Sequence, residues 1–397
     1  MKIFHASDLH YAVETLREVD KCFSHAVQSV VDVDAAVISG DSTDHEIDLH
    51  SPASAALVMR IGELANKCPV LMLQGTFSHE PPGTLEVFKH LGSVHPVYVA
   101  DRICQVALME DDTWLESSGW KFAELPKGMK ALFSVLPTVN KGHIAASMEA
   151  GKAAEAVGDL VSSILSGWAN NHEQASLAGV PSVVVSHGTV NGSITEHGVP
   201  MAGMDHEFTV GSLFASGASA IMLGHIHRYQ VWDSNGRLAA YAGSIGRLHY
   251  GEEGEKGYLV WNVEAHASSL EFVPTPARKM IHLEFDGVPD VVQLQAAAAD
   301  AEGAFVRVRW QIDEEHKDAI NRKEIAAIFG SAVEVKMEGR INPIVRTRAQ
   351  GISNETTLNA KLQKWAETTQ TPLGPLSEKL SLLERMSPEE IAHAAMS

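Results

Sequence analysis

The chain has 397 residues, 45% of them apolar, enough for two or three domains with a sizeable core. A formal charge of −19 argues against unaided binding to a phosphate backbone, and three widely spaced cysteines (Cys22, Cys68, Cys104) argue against a disulfide framework or a four-thiolate zinc site. No segment approaches the length of a membrane span, and His5 and Asp8 interrupt the apolar stretch a signal peptide needs, so the expected location is cytoplasmic with no membrane partner.

Lys2–Ala6 reads as a strand, Thr15–Val31 as an amphipathic helix and Ala35–Ser39 as a buried strand. Helical spacing returns over Ala53–Ala65, followed by apolar strands at Pro69–Leu73 and Ala131–Leu136. A long helix-forming stretch covers residues 145–165. Strands resume at Val183–Val185 and Ala220–Leu223, then at Gln230–Trp232, Leu238–Ala240, Tyr258–Val263 and Leu270–Val273. This alternation predicts a layered α/β sandwich over residues 1–277. Residues 278–345 read as a small α+β unit: strands at Met280–Phe285, Phe305–Ile312 and Ala332–Met337, helices at Val291–Ala301 and His316–Phe329. Residues 346–397 read as a linker and two short helices, Thr357–Thr368 and Leu376–Met386, with Leu362, Trp365, Leu380 and Leu383 on apolar stripes. Helices this short are marginal alone and are expected to dock on this protein's own body or on another chain.

Five polar signatures lie where apolar runs end: Asp8-x-His10, Gly40-Asp41-x-x-Asp44, Gly75-Thr76-Phe77-Ser78-His79-Glu80, Ser186-His187-Gly188 and Gly224-His225-x-His227. Strand ends on one scaffold can bring distant residues into one pocket, and carboxylates mixed with imidazoles suit Mn²⁺, Zn²⁺ or Fe. A dinuclear metal site is the expectation. The acidity is concentrated in residues 1–277, which carry 16 Lys and Arg against 32 Asp and Glu, so a nuclease built this way needs bound cations, local basic patches or a partner to hold nucleic acid.

The five signatures in this order resemble the calcineurin-like metallophosphoesterase superfamily. The opening Lys2–His10 and the stretch Tyr241–Gly257 resemble, more narrowly, the SbcD-type nuclease subunit, of the meiotic-recombination nuclease family. The resemblance implies a four-layer αββα sandwich in which Asp41 bridges two divalent ions, most often Mn²⁺. Asp8, His10 and His227 would complete one shell; His187 and His225 would serve the other. His79 would assist the leaving oxygen, oriented by Asp44. The family's third signature carries an Asn ligand that this chain lacks, leaving Thr76 or Ser78 as the hydroxyl in its place. Arg247 and His249 are expected phosphate or backbone contacts, and Tyr11 either stacks on a base or packs. His5, His45, His50, His197 and His206 are more readily bystanders than ligands.

By the same resemblance, residues 278–345 would cap the site and shape access of DNA ends, with Arg307, Arg309, Arg322 and Lys323 supplying charge. The tail would grip the coiled coil of an SbcC-like ATPase, and the chain would form a homodimer. The implied activity is a DNA exonuclease at duplex ends and endonuclease at hairpins or single strands, acting in repair or recombination. A stand-alone phosphodiesterase for small substrates and a non-catalytic scaffold are the alternatives.

Overall fold

A computed structural model describes residues 1–45, 48, 50–139, 150–195, 207–252, 254–343 and 351–396. The chain is mixed α/β and divides into two compact units: Met1–Ile281 with Asp300–Val306 and Ser331–Glu334, and His282–Ala299 with Arg307–Gly330 and Val335–Ser397. Among the described residues no helix is long and apolar enough to cross a membrane.

The first unit holds two large sheets. In one, β1 (Lys2–Ala6), β2 (Ala35–Ile38), β3 (Val70–Leu73) and β4 (Val97–Ala100) run parallel in that spatial order. The other contains β5 (Cys104–Met109), β6 (Trp114–Glu116), β7 (Met129–Leu136), β8 (Ser182–His187), β11 (Ala220–Gly224), β12 (Gln230–Ser234) and β13 (Arg237–Tyr241). Its order is β12-β13-β11-β8-β7-β5-β6, with β7, β8, β11 and β13 parallel. A short parallel pair, β9 (Thr189–Val190) and β10 (Glu207–Phe208), lies outside it. The chain then returns to the first sheet, where β14 (Gly257–Val263) pairs antiparallel with β1 and carries β15 (Ser268–Pro274) at the edge.

Alternating side chains of these strands feed separate cores, as a period of two requires. Ile3, Val37, Leu71 and Trp261 of the first sheet pack with Val106, Phe133, Val183 and Met222 of the second. Their neighbours Phe4, Ala36 and Val70 face the other way, onto Val19 and Phe23 of helix Leu16–Ser29 and Leu57 and Ile61 of helix Pro52–Ala65. Ser51 starts the latter helix by accepting the Ala53 N–H, with Pro52 in the first turn where its missing donor costs nothing. On the far side of the second sheet, Val184, Ile221 and Leu223 meet Val157, Val161, Leu165 and Trp168 of helix Ala150–Leu177.

That helix runs twelve residues beyond the apolar periodicity that predicted its end at Leu165. The extension is buried through polar groups: Asn171 donates to Gln105 Oε1 (2.8 Å), His172 Nδ1 donates to the Ser216 carbonyl (2.7 Å), and Ser134 Oγ lies 2.8 Å from His172 Nε2. Hydrophobic spacing is blind to such an interface. Residues 145–149 of the expected helix lie outside the described residues. Strands β4, β5 and β6 were not anticipated; charged turns at Asp101-Arg102 and Asp111-Asp112 split them into short runs.

The second unit is built on a three-stranded sheet, β16 (Met280–Asp286), β17 (Phe305–Asp313) and β18 (Glu334–Asn342), ordered β16-β17-β18, with helices Val291–Ala298 and Arg322–Ile328. The helix expected over His316–Phe329 is broken, because Asn321 caps a new start by accepting the Glu324 N–H (3.2 Å). The tail contains helices Leu358–Thr369 and Leu373–Arg385 as expected and a third, Pro388–Met396. Leu358, Leu382 and Leu383 are exposed on it.

Candidate metal centre

Five strands, three parallel in one sheet and two parallel in the other, end at one place. β1 delivers Asp8 and His10, β2 Asp41, β3 the turn holding His79, β8 His187 and β11 His225 and His227. Beyond the strands the first two loops stay joined, through Asp8 N–H to the Gly40 carbonyl (3.1 Å) and His10 N–H to the Asp41 carbonyl (3.0 Å).

The backbone there is unusual. Asp8, His10, Asp41 and His225 all have left-handed φ angles, of 51°, 48°, 51° and 103°. Such conformations cost about 1–3 kcal/mol each for non-glycine residues and persist where the surroundings over-determine them. Glycines make room alongside: a Cβ on Gly40 would collide with the His187 ring, one on Gly75 with the Asp41 carboxylate, and one on Gly224 with Ser7 and the Ser39 carbonyl.

Several groups of side chains that could hold a metal ion result, and two of them lie at these strand ends. Asp8, His10 and His227 converge within 4.8 Å, as do Asp41, His187 and His225; Asp41 also groups with His10 and His79. Asp41 therefore stands between the two. His187 Nε2 lies 3.1 Å from Asp41 Oδ2, while its Nδ1 donates to the Ser39 carbonyl (2.8 Å), which turns the other nitrogen inward. His10 Nε2 and His227 Nε2 face each other at 3.0 Å, and His227 Nδ1 lies 3.2 Å from Glu252 Oε1. The Asp8 carboxylate accepts the His225 N–H at 3.1 and 3.2 Å.

Electrostatics divide these groups: burial would lower His187, but the charge and hydrogen bond of Asp41 push it up to about 10, so a cation there would have to displace a proton, and the Glu252 hydrogen bond likewise outweighs burial to raise His227. Burial, followed by the charge of His227, lowers His10 to about 3; burial and then His187 do the same to His225, leaving imidazoles with lone pairs. Burial raises the Asp8 carboxyl. It would raise Asp41 too, but the charge and hydrogen bond of His187 outweigh it, helped by His10, and hold that carboxyl well below the usual range. A donor set of two carboxylates and four imidazoles fits divalent Mn, Zn or Fe.

His79 is placed differently. Its Nδ1 lies 2.8 Å from Asp44 Oδ1, and that hydrogen bond, above all, raises the imidazole and lowers the carboxyl. The bond to Asp44 thus favours the protonated imidazole and leaves Nε2 directed away from that carboxylate. A cleft of about 520 Å³ bordered by Asp44, His45, Asp48 and His50 opens next to it.

Thr76, not Ser78, brings its hydroxyl to the centre. Thr76 Oγ1 stands 3.2 Å from Asp41 Oδ2 and 3.3 Å from His187 Nε2, while Ser78 is exposed in the turn before His79. Tyr11 is fully buried and donates to Asp20 Oδ1 (3.1 Å), so it packs instead of offering a face to a base. Arg247 is also buried, its guanidinium donating to the carbonyls of Glu252, Arg278 and Gly254 and so committed to the backbone instead of a phosphate. His249 is half-exposed, its ring stacked 6.2 Å from that of His227. His5 is a core residue between Ser39 and Trp261, His45 and His50 are exposed, and His197 and His206 lie outside the described residues.

Glu80 and Glu252 escaped the reading of the sequence. Glu80 is buried and staples the Asp41 and Gly75 loops, accepting from Ser42 N and Gly75 N, each at 2.5 Å. Its signal was its place directly after His79; Glu252 had none beyond a Gly-Glu-Glu-Gly run.

No protein-family model and no curated protein matches the chain. Among solved structures it overlaps GAP50, the anchor in the inner membrane complex of Plasmodium, at 12% identity and TM-score 0.43, covering 69% of this chain and 84% of that one. A predicted phosphoesterase from Streptococcus pneumoniae overlaps at 13% identity and TM-score 0.25 (68% and 97% covered), and phosphopantetheinyl hydrolase from Mycobacterium tuberculosis at 11% and 0.29 (68% and 95%).

Proposed function

We propose that the protein is a dinuclear-metal phosphodiesterase with the αββα metallophosphoesterase sandwich, acting on DNA as an SbcD-like nuclease subunit. The observation that carries the phosphodiesterase reading is the pair of adjacent triads, Asp8–His10–His227 and Asp41–His187–His225, with Asp41 also grouped with His10 and with His79 held beside them by Asp44. Two divalent cations, Mn²⁺ by family resemblance, would be held by Asp8, His10 and His227 and by His187 and His225 with Asp41 between, and would supply an activated water and neutralise phosphoryl charge.

The chain's own groups do the rest. Asp44 keeps the Nδ1 proton of His79 engaged, so Nε2 donates its proton to the leaving oxygen as the phosphorus–oxygen bond breaks and water oxygen becomes bonded to phosphorus. Thr76 orients the Asp41 carboxylate from the backbone and the hydroxyl, with its N–H 2.7 Å from Oδ1. Residues 278–345 as a cap, the tail as a docking element for a coiled-coil ATPase, homodimerisation and a cytoplasmic location complete the proposal, resting on the resemblance of sequence motifs.

One observation favours a stand-alone phosphodiesterase for small substrates instead. Two of the basic residues expected to serve the cap are engaged by carboxylates: Arg307 Nη2 and Arg309 Nε lie 2.9 and 2.8 Å from Glu338, and Arg309 Nη1 lies 3.3 Å from Glu284. Measuring bound Mn²⁺ together with cleavage of hairpin DNA and of bis(p-nitrophenyl) phosphate separates the readings. The nuclease proposal expects both substrates to be cut and Asp41→Asn to lower both rates about 1,000-fold or more. Wild-type rates in Asp41→Asn overturn it, and cleavage of the small diester alone supports the second reading.

A further inference from the structure

The loop after β13 contains an ion pair whose carboxylate, Glu252, also groups with His227 and His249. Glu252 and Lys256 are both buried, with Lys256 Nζ 3.1 Å from Glu252 Oε2. A buried pair of this kind is a weak source of stability, since desolvation offsets most of its attraction. What it touches is more informative. Glu252 Oε1 lies 3.2 Å from His227 Nδ1, and its Oε2 accepts the Leu248 N–H at 2.9 Å. Lys256 Nζ donates to the His227 carbonyl (2.9 Å) and to Ser244 Oγ (2.8 Å). Ring and main chain of one metal-ligand candidate are thus gripped by the two halves of one ion pair.

The grip extends to the rest of that triad. Ser244 forms a parallel β-bridge with Ser7, the residue before Asp8. Arg247 closes the loop by donating to the carbonyls of Glu252 and Gly254 on one side and Arg278 on the other. His249, half-exposed with Nδ1 3.6 Å from Glu252 Oε1, is the other imidazole at this carboxylate; it lies farther than His227.

We propose that Glu252 and Lys256 are a positioning pair for His227: the carboxylate accepts the Nδ1 proton and so fixes the tautomer whose Nε2 lone pair faces His10 and Asp8, while the ammonium anchors the same residue's carbonyl. The pair thereby sets the affinity of the Asp8–His10–His227 site and leaves the Asp41–His187–His225 site alone. This rests on the metal-centre reading above. A carboxylate behind a ligating imidazole raises its basicity and fixes its orientation, and losing one typically weakens metal binding about 10- to 100-fold.

Removing either charge alone would strand the other in the interior, so the first variant is the neutral double Glu252→Gln/Lys256→Met. The second, Glu252→Asp, keeps the charge beside Lys256 and withdraws it from the ring. Two measurements apply to the full-length chain: Mn²⁺ titration followed by electron paramagnetic resonance, and ¹⁵N ring shifts of His227 in metal-free protein. The expected result is a wild-type proton on Nδ1, and in both variants one of two Mn²⁺ sites weakened about 10- to 100-fold with the other unchanged and the thermal transition retained. If the double variant fails to fold, Glu252→Asp decides. Folded variants that bind both ions like wild type, or a wild-type His227 with a proton on Nε2 and none on Nδ1, overturn the positioning role alone. A wild-type chain that takes up no Mn²⁺ overturns the metal-centre reading and this inference with it.

Discussion

Gly75→Ala tests the site through a single methyl group. Gly75 has no left-handed φ, so alanine meets no backbone penalty, yet its Cβ would overlap Oδ1 and the backbone N of Asp41. Neither can yield cheaply: the carboxylate is held by Thr76 N at 2.7 Å and His187 Nε2 at 3.1 Å, and the Asp41 carbonyl by His10 N at 3.0 Å. Relief to ordinary contact needs about 1 Å of movement by Asp41 or by the Gly75 loop. Overpacking of this kind costs about 1–3 kcal/mol of stability, and a 1 Å misplacement at a catalytic centre costs roughly 100-fold in rate, about 2.7 kcal/mol. The checks are urea unfolding, Mn²⁺ titration and hydrolysis of bis(p-nitrophenyl) phosphate. Gly62→Ala is the control, because a Cβ there meets nothing within 4 Å inside a helix and should stabilise by about 1 kcal/mol. A Gly75→Ala protein with wild-type Mn²⁺ affinity and rate would refute the placement of Asp41 between the triads.

His79→Gln is expected to lower the hydrolysis rate about 100- to 10,000-fold while bound Mn²⁺, counted by elemental analysis, stays at the wild-type number; a lost ion would make His79 a ligand. His172, lowered by burial to about 4, donates from Nδ1 to the Ser216 carbonyl and accepts from Ser134, leaving no lone pair for a second proton. Below about pH 6.5 the unfolded chain protonates this residue and the native one does not until about 4, so its contribution is full above that window and falls with pH at about 1.4 kcal/mol per unit. Urea unfolding at pH 7 and pH 5 should show a loss of stability smaller by about 2 kcal/mol in His172→Gln; an identical loss would mean the residue titrates normally. Removal of residues 349–397 should leave hydrolysis of the small diester intact and abolish binding to a coiled-coil ATPase, read by co-purification, whereas retained binding with a lowered Tm would assign the tail to the protein's own body.

The strands that end in polar signatures were legible because each is a short, wholly buried apolar run stopped by a residue that tolerates a sharp turn, as Ala35–Ile38 is before Gly40 and Ala220–Gly224 before His225. Six of the side chains in those signatures, Asp8, His10, Asp41, His187, His225 and His227, stand together in the two triads, whereas His79 and Asp44 pair beside them. What the pattern left open was settled by direction in space. Thr76 and Ser78 are chemically alike and two residues apart, and only the turn decides that the first points at Asp41 and the second at solvent. Arg247 and Tyr11 have the chemistry of substrate contacts, but their partners are carbonyls and Asp20, brought near by long-range packing that no local motif encodes. The polar end of the Ala150–Leu177 helix was hidden for the same reason: Gln105, Ser134 and Ser216 complete it from other elements.

The facing imidazoles of His10 and His227 are 217 positions apart in the chain. Neither triad can be whole until β11 and the loop after it have been synthesised and both sheets have closed on each other. At about 5–20 residues per second, a nascent chain therefore spends roughly 10–40 s with its first carboxylate made and its last imidazole missing. Until His225 has been made neither group of side chains is complete, and strands β14 and β15 of the first sheet are still to follow it in the chain.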